Sequence, residues 1–196
     1  MALRAQARNP AALITAALLA ACGGSPPAPE WQANAAGALQ AFQQRYLTGD
    51  TKGAEDEFTR ARFELSATGK ADVVARAELI RCAVQVASLV FEPCKGFDAL
   101  REGAGKEELA YADYLEGRAS RAPGADPLGR LVALGVQMRT GRIDPQGIAA
   151  AVDIASNQGW RRPLLAWLGV QLKRAQDAGD SETAARLKRR IELVSG

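Results

Sequence analysis

The 196-residue chain contains no histidine, and this absence excludes several kinds of catalytic site. Without an imidazole group there is no Ser-His or Cys-His nucleophile pair, and the His-based sites that commonly hold zinc are excluded too. The chain has no glycine-rich phosphate-binding loop, since Gly23-Gly24 stands in a stretch of small residues and prolines. We therefore expect a protein that is not an enzyme and that holds no metal and no cofactor.

The acidic clusters of the chain do not have the arrangement that acid/base catalysis needs. Its acidic clusters are Glu55-Asp56-Glu57 and Glu107-Glu108. Adjacent residues point to different sides of a helix, so these carboxylates do not converge, and we interpret them as solvated helix faces. An α-helical lytic transglycosylase would need a catalytic Glu followed by Ser and a Gly-Leu-Met-Gln stretch, and neither is present.

Charge of one sign is not in large excess. Lys and Arg total 25 and Asp and Glu total 22, for a net charge of +3, which gives no indication of a nucleic-acid partner. Residues 160–196 nevertheless contain eight basic and four acidic side chains. These cations are either solvated helix faces or a docking surface for an acidic partner or a phosphate-bearing envelope polymer.

No apolar run reaches the ~20 residues that a membrane-spanning helix needs. The uncharged run 11–21 follows Arg4, Arg8 and Pro10, and it has the length and setting of the apolar part of a signal peptide. It ends in Leu19-Ala20-Ala21-Cys22, which resembles the lipobox of bacterial lipoproteins. The resemblance implies a signal peptide over 1–21 and a diacylglyceryl group on Cys22, the only non-protein group expected on the chain.

The residues after Cys22 extend this interpretation. Residues 22–30 are rich in Gly, Ser and Pro and predict a flexible tether before one folded domain over 31–196. In lipoproteins of Gram-negative bacteria, Asp after the cysteine usually marks retention in the inner membrane, and here that residue is Gly23. The resemblance therefore implies a protein anchored to the outer membrane on its periplasmic face.

Cys82 and Cys94 are the other two cysteines. Export would place them in an oxidising compartment, where an even pair tends to be bridged. If the helix that carries Cys82 stops near Val90, four further residues can return to it, and Pro93 favours the turn. We predict a Cys82–Cys94 disulfide, with two buried free thiols as the alternative.

The pattern of residues 31–196 predicts an all-α fold of antiparallel helical hairpins. Good helix formers dominate, and apolar residues recur at spacings of three and four. Expected C-cap glycines are Gly49, Gly69, Gly103, Gly117, Gly141, Gly159 and Gly179. Expected starts include Asp126-Pro127, Asp144-Pro145 and Asp180. The predicted helices span 32–48, 51–67, 70–91, 96–102, 105–117, 127–139, 145–157, 161–177 and 181–194.

Two hairpins carry a repeat-like spacing. Gly49-Asp50, Ala54, Phe58 and Ala61 resemble the turn and second helix of a tetratricopeptide (TPR) repeat, and Gly179-Asp180, Ala184, Lys188 and Ile191 follow the same spacing. The resemblance implies a TPR-like solenoid that presents a concave binding surface. An unrelated, irregular bundle of helical hairpins is the alternative.

Tryptophan and arginine are enriched in binding hot spots, which makes Trp160, Arg161 and Arg162 candidate partner-binding residues, with Trp160 partly exposed. Trp167 is spaced with Leu164 and Leu168 and is expected in the core. From these patterns we expect a scaffold or adaptor that binds a partner protein of an envelope assembly, secretion or cell-wall machine. An envelope enzyme or a small-ligand carrier is the alternative.

Overall fold

The computed structural model describes residues 29–196, and every regular element in that part of the chain is helical. The helices are α1 (Glu30–Thr48), α2 (Thr51–Ser66), α3 (Ala71–Ala87), α4 (Lys95–Asp98), α5 (Lys106–Leu115), α6 (Pro127–Arg139), α7 (Pro145–Asn157), α8 (Arg161–Asp177) and α9 (Ser181–Ser195), with a 3₁₀ turn at Arg101–Gly103. The predicted all-α fold class is confirmed. None of these helices is long and apolar enough to cross a membrane. The predicted signal peptide, Cys22 and most of the predicted tether lie outside the described residues.

Four helices begin at an aspartate that caps them. The Oδ1 atoms of Asp50, Asp126, Asp144 and Asp180 accept hydrogen bonds of 2.6–3.0 Å from the backbone N–H three residues later. Each bond satisfies a donor that the helix itself leaves unpaired. The predicted starts of α6, α7 and α9 are confirmed, and α6, α7 and α8 have the predicted bounds.

Most helix ends also follow the sequence. Six of the seven expected glycines have a positive φ, between 65° and 102°, and they are Gly49, Gly69, Gly117, Gly141, Gly159 and Gly179. The prediction for Gly103 is wrong, because this residue lies inside the 3₁₀ turn and extended backbone at Ala104 follows it.

Helix α3 ends at Ala87, four residues before the predicted end. Leu89 has a φ of 60°, and the N–H of Val90 bonds the carbonyl of Gln85 at 2.9 Å. Leu89 thus occupies the left-handed position that glycine occupies at other helix ends, a conformation that costs about 1–2 kcal/mol for a residue with a Cβ. Periodicity alone does not reveal this stop, because the apolar residues Leu89, Val90 and Phe91 follow it.

Helix α3 lies at the centre of the fold. It packs against α1, α2, α5 and α6, and ten of its residues are buried. The chain also returns on itself, because α8 contacts α1. An open solenoid brings only neighbouring repeats into contact, so these contacts correspond to the irregular bundle of hairpins rather than to the solenoid.

Helix α6 crosses α3 at close range at Gly135. A Cβ atom at this position would stand against the carbonyl group of Val86, 2.9 Å from its carbon. Glycine inside a helix costs roughly 1 kcal/mol relative to alanine, so its presence here follows from the close crossing of the two backbones.

The disulfide between Cys82 and Cys94 is present, as predicted. Their Cα atoms are 5.9 Å apart, within the usual range for a bridge. The bond ties the turn after α3 and the start of α4 to the middle of α3.

Loss of this disulfide is expected to lower the free energy of unfolding by roughly 2–3 kcal/mol, since the bond closes a short loop in the unfolded chain. Urea denaturation of oxidised and reduced wild-type protein measures the difference, and reduction leaves both sulfur atoms in place. Two thiols that alkylate freely in the folded, unreduced protein would contradict the prediction.

Candidate functional site

Trp160 is buried and belongs to the hydrophobic core, with 8% of its surface exposed. The prediction of a partly exposed aromatic anchor is therefore wrong. Trp160 is the residue before α8, and the turn at Gly159 directs its side chain inward. Trp167 is fully buried, as predicted.

Arg162 makes contacts within the protein that close the bundle. Its Nε donates to the carbonyl oxygen of Tyr46 at 2.6 Å, and its Nη2 donates to the hydroxyl of Thr51 at 2.7 Å. The guanidinium carbon also lies 4.3 Å from the centre of the Tyr46 ring. Arg162 thus fastens the start of α8 to the α1–α2 turn, and of the three predicted residues only Arg161 is exposed. We therefore place the candidate interface elsewhere.

The acidic clusters do not converge, but not all of them are solvated. Glu108 is only 6% exposed and accepts hydrogen bonds from Nε and Nη2 of Arg76, at 3.0 and 2.7 Å. Glu57 is partly buried beside Arg45 and Arg60. The prediction of solvated faces is wrong for Glu108, because α5 turns that residue toward α3.

An open groove lies at the C-terminal end of the fold. Residues of three consecutive helices, α7, α8 and α9, line it, and α8 packs against both of the others. The groove has a volume of about 540 Å³. Three exposed arginines line it, Arg174 from α8 and Arg186 and Arg190 from α9. We call this feature the arginine groove.

Two of these arginines stand side by side. Arg186 and Arg190 are four residues apart on α9 and so share one face. Arg186 donates to the Thr183 hydroxyl at 3.1 Å, while Arg190 reaches the Ser156 hydroxyl of α7 at 3.5 Å. Buried Ile148 of α7 and Leu187 of α9 add apolar surface to the same lining. The groove therefore combines apolar surface with exposed guanidinium groups.

Among residues 29–196, the arginine groove has one carboxylate in its lining beside its three arginines. Every arginine that forms an ion pair in residues 29–196 lies between Arg45 and Arg118. The one carboxylate lining the groove is Asp180, which caps α9. Hydrogen bonds from Thr183, and to a smaller extent the positive charge of Arg186, hold the pKa of Asp180 below its usual value, so this carboxylate stays ionised. None of the three guanidinium groups forms an ion pair within residues 29–196, and Arg186 and Arg190 are held by neutral hydroxyl groups, so an external anion can compete for them.

The sequence indicated part of this site. The excess of basic residues over 160–196 left a docking surface open as one of two interpretations. The contribution of Arg174 was missed, because it depends on how α8 packs between α7 and α9.

In residues 29–196, no cluster of three or more His, Cys, Asp or Glu side chains is arranged to hold a metal ion. Comparison of the chain with protein-family models, with curated proteins and with solved structures finds no match.

Proposed function

We propose that the protein is a lipid-anchored periplasmic scaffold of the bacterial outer membrane that holds an acidic segment of an envelope partner protein in the arginine groove. The observation that carries the proposal is the set of three exposed arginines that form no ion pair within residues 29–196. The lipobox-like end of the first 22 residues supports the anchor, and the Gly-Asp turns of the α1–α2 and α8–α9 hairpins support a resemblance of these two hairpins to TPR units within the irregular bundle.

The groove suits a peptide better than a compact ligand. Grooves between helices recognise helical or extended segments through a few anchoring side chains. Arginine forms bidentate hydrogen bonds with carboxylates, so a segment with several Asp or Glu residues matches the charge of the groove. Each exposed ion pair contributes only about 0.2–1 kcal/mol to binding. Burial of the apolar surface of the groove must therefore supply part of the affinity.

Charge reversal in the groove tests the proposal. The Arg186→Glu and Arg190→Glu double variant should weaken partner binding about tenfold or more, because it replaces two attractive charges with two repulsive ones. Crosslinking and affinity purification from native membranes measure recovery of the partner. The crosslinked peptides should map to acidic stretches, and raising the salt concentration should reduce binding to the wild type more than to the variant.

Helix α9 provides a matched control. The Lys188→Glu and Arg189→Glu double variant changes the net charge by the same amount on the same helix, but neither residue lines the groove. This control should recover the partner as the wild type does, and circular dichroism should show the same helix content for both variants. Equal losses of partner recovery in the two variants would contradict the proposal. Crosslinked material that resists protease would also contradict it, because the partner would then be an envelope polymer and not a protein.

A further inference from the structure

A second cavity lies apart from the arginine groove, between α3, α5 and α6. The segment 118–126, which follows α5, covers one side of it, and its volume is about 320 Å³. Small-ligand pockets commonly measure about 300–1,000 Å³, so this cavity has room for one small molecule. It shares no lining residue with the arginine groove.

Two tyrosines of α5 form the aromatic wall of this cavity. The rings of Tyr111 and Tyr114 are 5.8 Å apart and inclined by 30°. Burial raises the pKa of Tyr111 to about 12 and also raises the pKa of Tyr114, so both phenols keep their protons. Both tyrosines line the cavity, and a protonated phenol can both donate and accept a hydrogen bond.

The charged groups of the cavity nearly balance. Two guanidinium groups, Arg76 and Arg121, face three carboxylates, Glu107, Glu108 and Asp126. Most of these groups are already engaged by the protein. Arg76 pairs with Oε1 of Glu108, Arg121 lies 5.1 Å from the centre of the Tyr111 ring, and Asp126 caps α6. The carboxylates would repel a strongly anionic ligand, and the guanidinium groups would repel a strongly cationic one.

The remaining polar atoms offer both donors and acceptors. Oε2 of Glu108 takes no hydrogen bond from the described residues, although this side chain is almost wholly buried. Leu79, Ile80 and Val132 complete the apolar part of the lining. A fitting ligand is therefore neutral, with a flat apolar face for the tyrosines and several hydroxyl groups for the polar atoms.

We propose that this cavity is a binding site for a neutral saccharide of one or two rings, held with a C–H face of the sugar against the aromatic wall formed by Tyr111 and Tyr114 and its hydroxyl groups near Glu108. A sugar ring has both required surfaces, since its C–H bonds line one face and its hydroxyl groups project around the edge. The site is independent of the acidic segment assigned to the arginine groove, and either site can exist without the other.

Ligand binding to the full chain tests this proposal. The protein is purified in a detergent that has no sugar headgroup and is titrated with N,N′-diacetylchitobiose and with cellobiose, while spermidine and benzoate serve as cationic and anionic probes. We expect saturable binding of at least one disaccharide, with amide chemical-shift changes confined to residues 76–80 and 107–132. The charged probes should leave these amides unchanged.

Variants separate stacking from nonspecific adhesion. Tyr111→Ala should weaken disaccharide binding at least tenfold. Tyr111→Phe should weaken it less, because the ring remains. The control is Phe63→Ala, which removes a 74% exposed aromatic side chain on α2 and should leave disaccharide binding unchanged. If Tyr111→Ala fails to fold, Tyr111→Phe alone serves as the test and should still weaken binding, because it removes the phenol hydroxyl. Absence of disaccharide binding to the wild type, tighter binding of spermidine or benzoate at these amides, or shifts centred on Arg174 and Arg186 would each overturn the proposal.

Discussion

Replacement of Cys22 by serine is expected to move the protein from the membrane fraction to the soluble fraction, or to leave its precursor uncleaved. The thiol is the group to which lipoproteins attach their lipid, and a serine hydroxyl is a far weaker nucleophile. One acyl chain holds a protein at a membrane only marginally, whereas several hold it stably, so loss of the lipid should abolish anchoring almost completely. No membrane-spanning helix among residues 29–196 would compensate for it.

Cell fractionation and metabolic labelling with palmitate measure this outcome. A double variant with Cys82→Ser and Cys94→Ser is the matched control, because it removes the other two cysteines and keeps position 22. The control should remain in the membrane pellet and incorporate label. Unchanged processing and pelleting of the Cys22→Ser variant would contradict the lipid anchor.

Local signals in the sequence predicted most of the helix bounds. An aspartate that caps a helix and a glycine that ends one act through bonds to residues three to five positions away, so their effect is visible in a short window. Helices α6 and α7 illustrate this, because each has an Asp-Pro start. The early end of α3 escaped prediction, since Leu89 takes the position where a glycine would have given the signal.

Contacts between distant residues were not predictable in the same way. Arg162 donates a hydrogen bond to the carbonyl oxygen of Tyr46, 116 positions away in the chain. This predicted surface arginine therefore connects α8 to α1. The burial of Trp160 has the same origin, because the core that receives it is assembled from several helices. The arginine groove was predictable only in part. The excess of basic residues is visible in the sequence, but the packing of α7, α8 and α9 that brings them together is not.

Trp167 is the side chain whose loss should destabilise the fold most. It is fully buried, and its indole Nε1 donates a 3.0 Å hydrogen bond to the carbonyl oxygen of Ala87, at the end of α3. That carbonyl belongs to the last turn of α3, where the helix itself supplies too few donors. Trp167 therefore joins α8 to the central helix in two ways, by filling space in the core and by satisfying a buried acceptor.

Trp167→Ala is expected to lower the free energy of unfolding by about 3–5 kcal/mol, which corresponds to a fall in melting temperature of roughly 10 °C for a chain of this size. Trp167→Phe should cost less, because an aromatic ring still fills most of the space and the remaining loss comes from the unpaired carbonyl of Ala87. Urea denaturation followed by circular dichroism gives both values. Leu193→Ala, at an 82% exposed position on α9, is the control and should change stability by less than about 0.5 kcal/mol. If Trp167→Ala were as stable as this control, α8 would not be held to α3 through Trp167, and the closed bundle would need another source of cohesion.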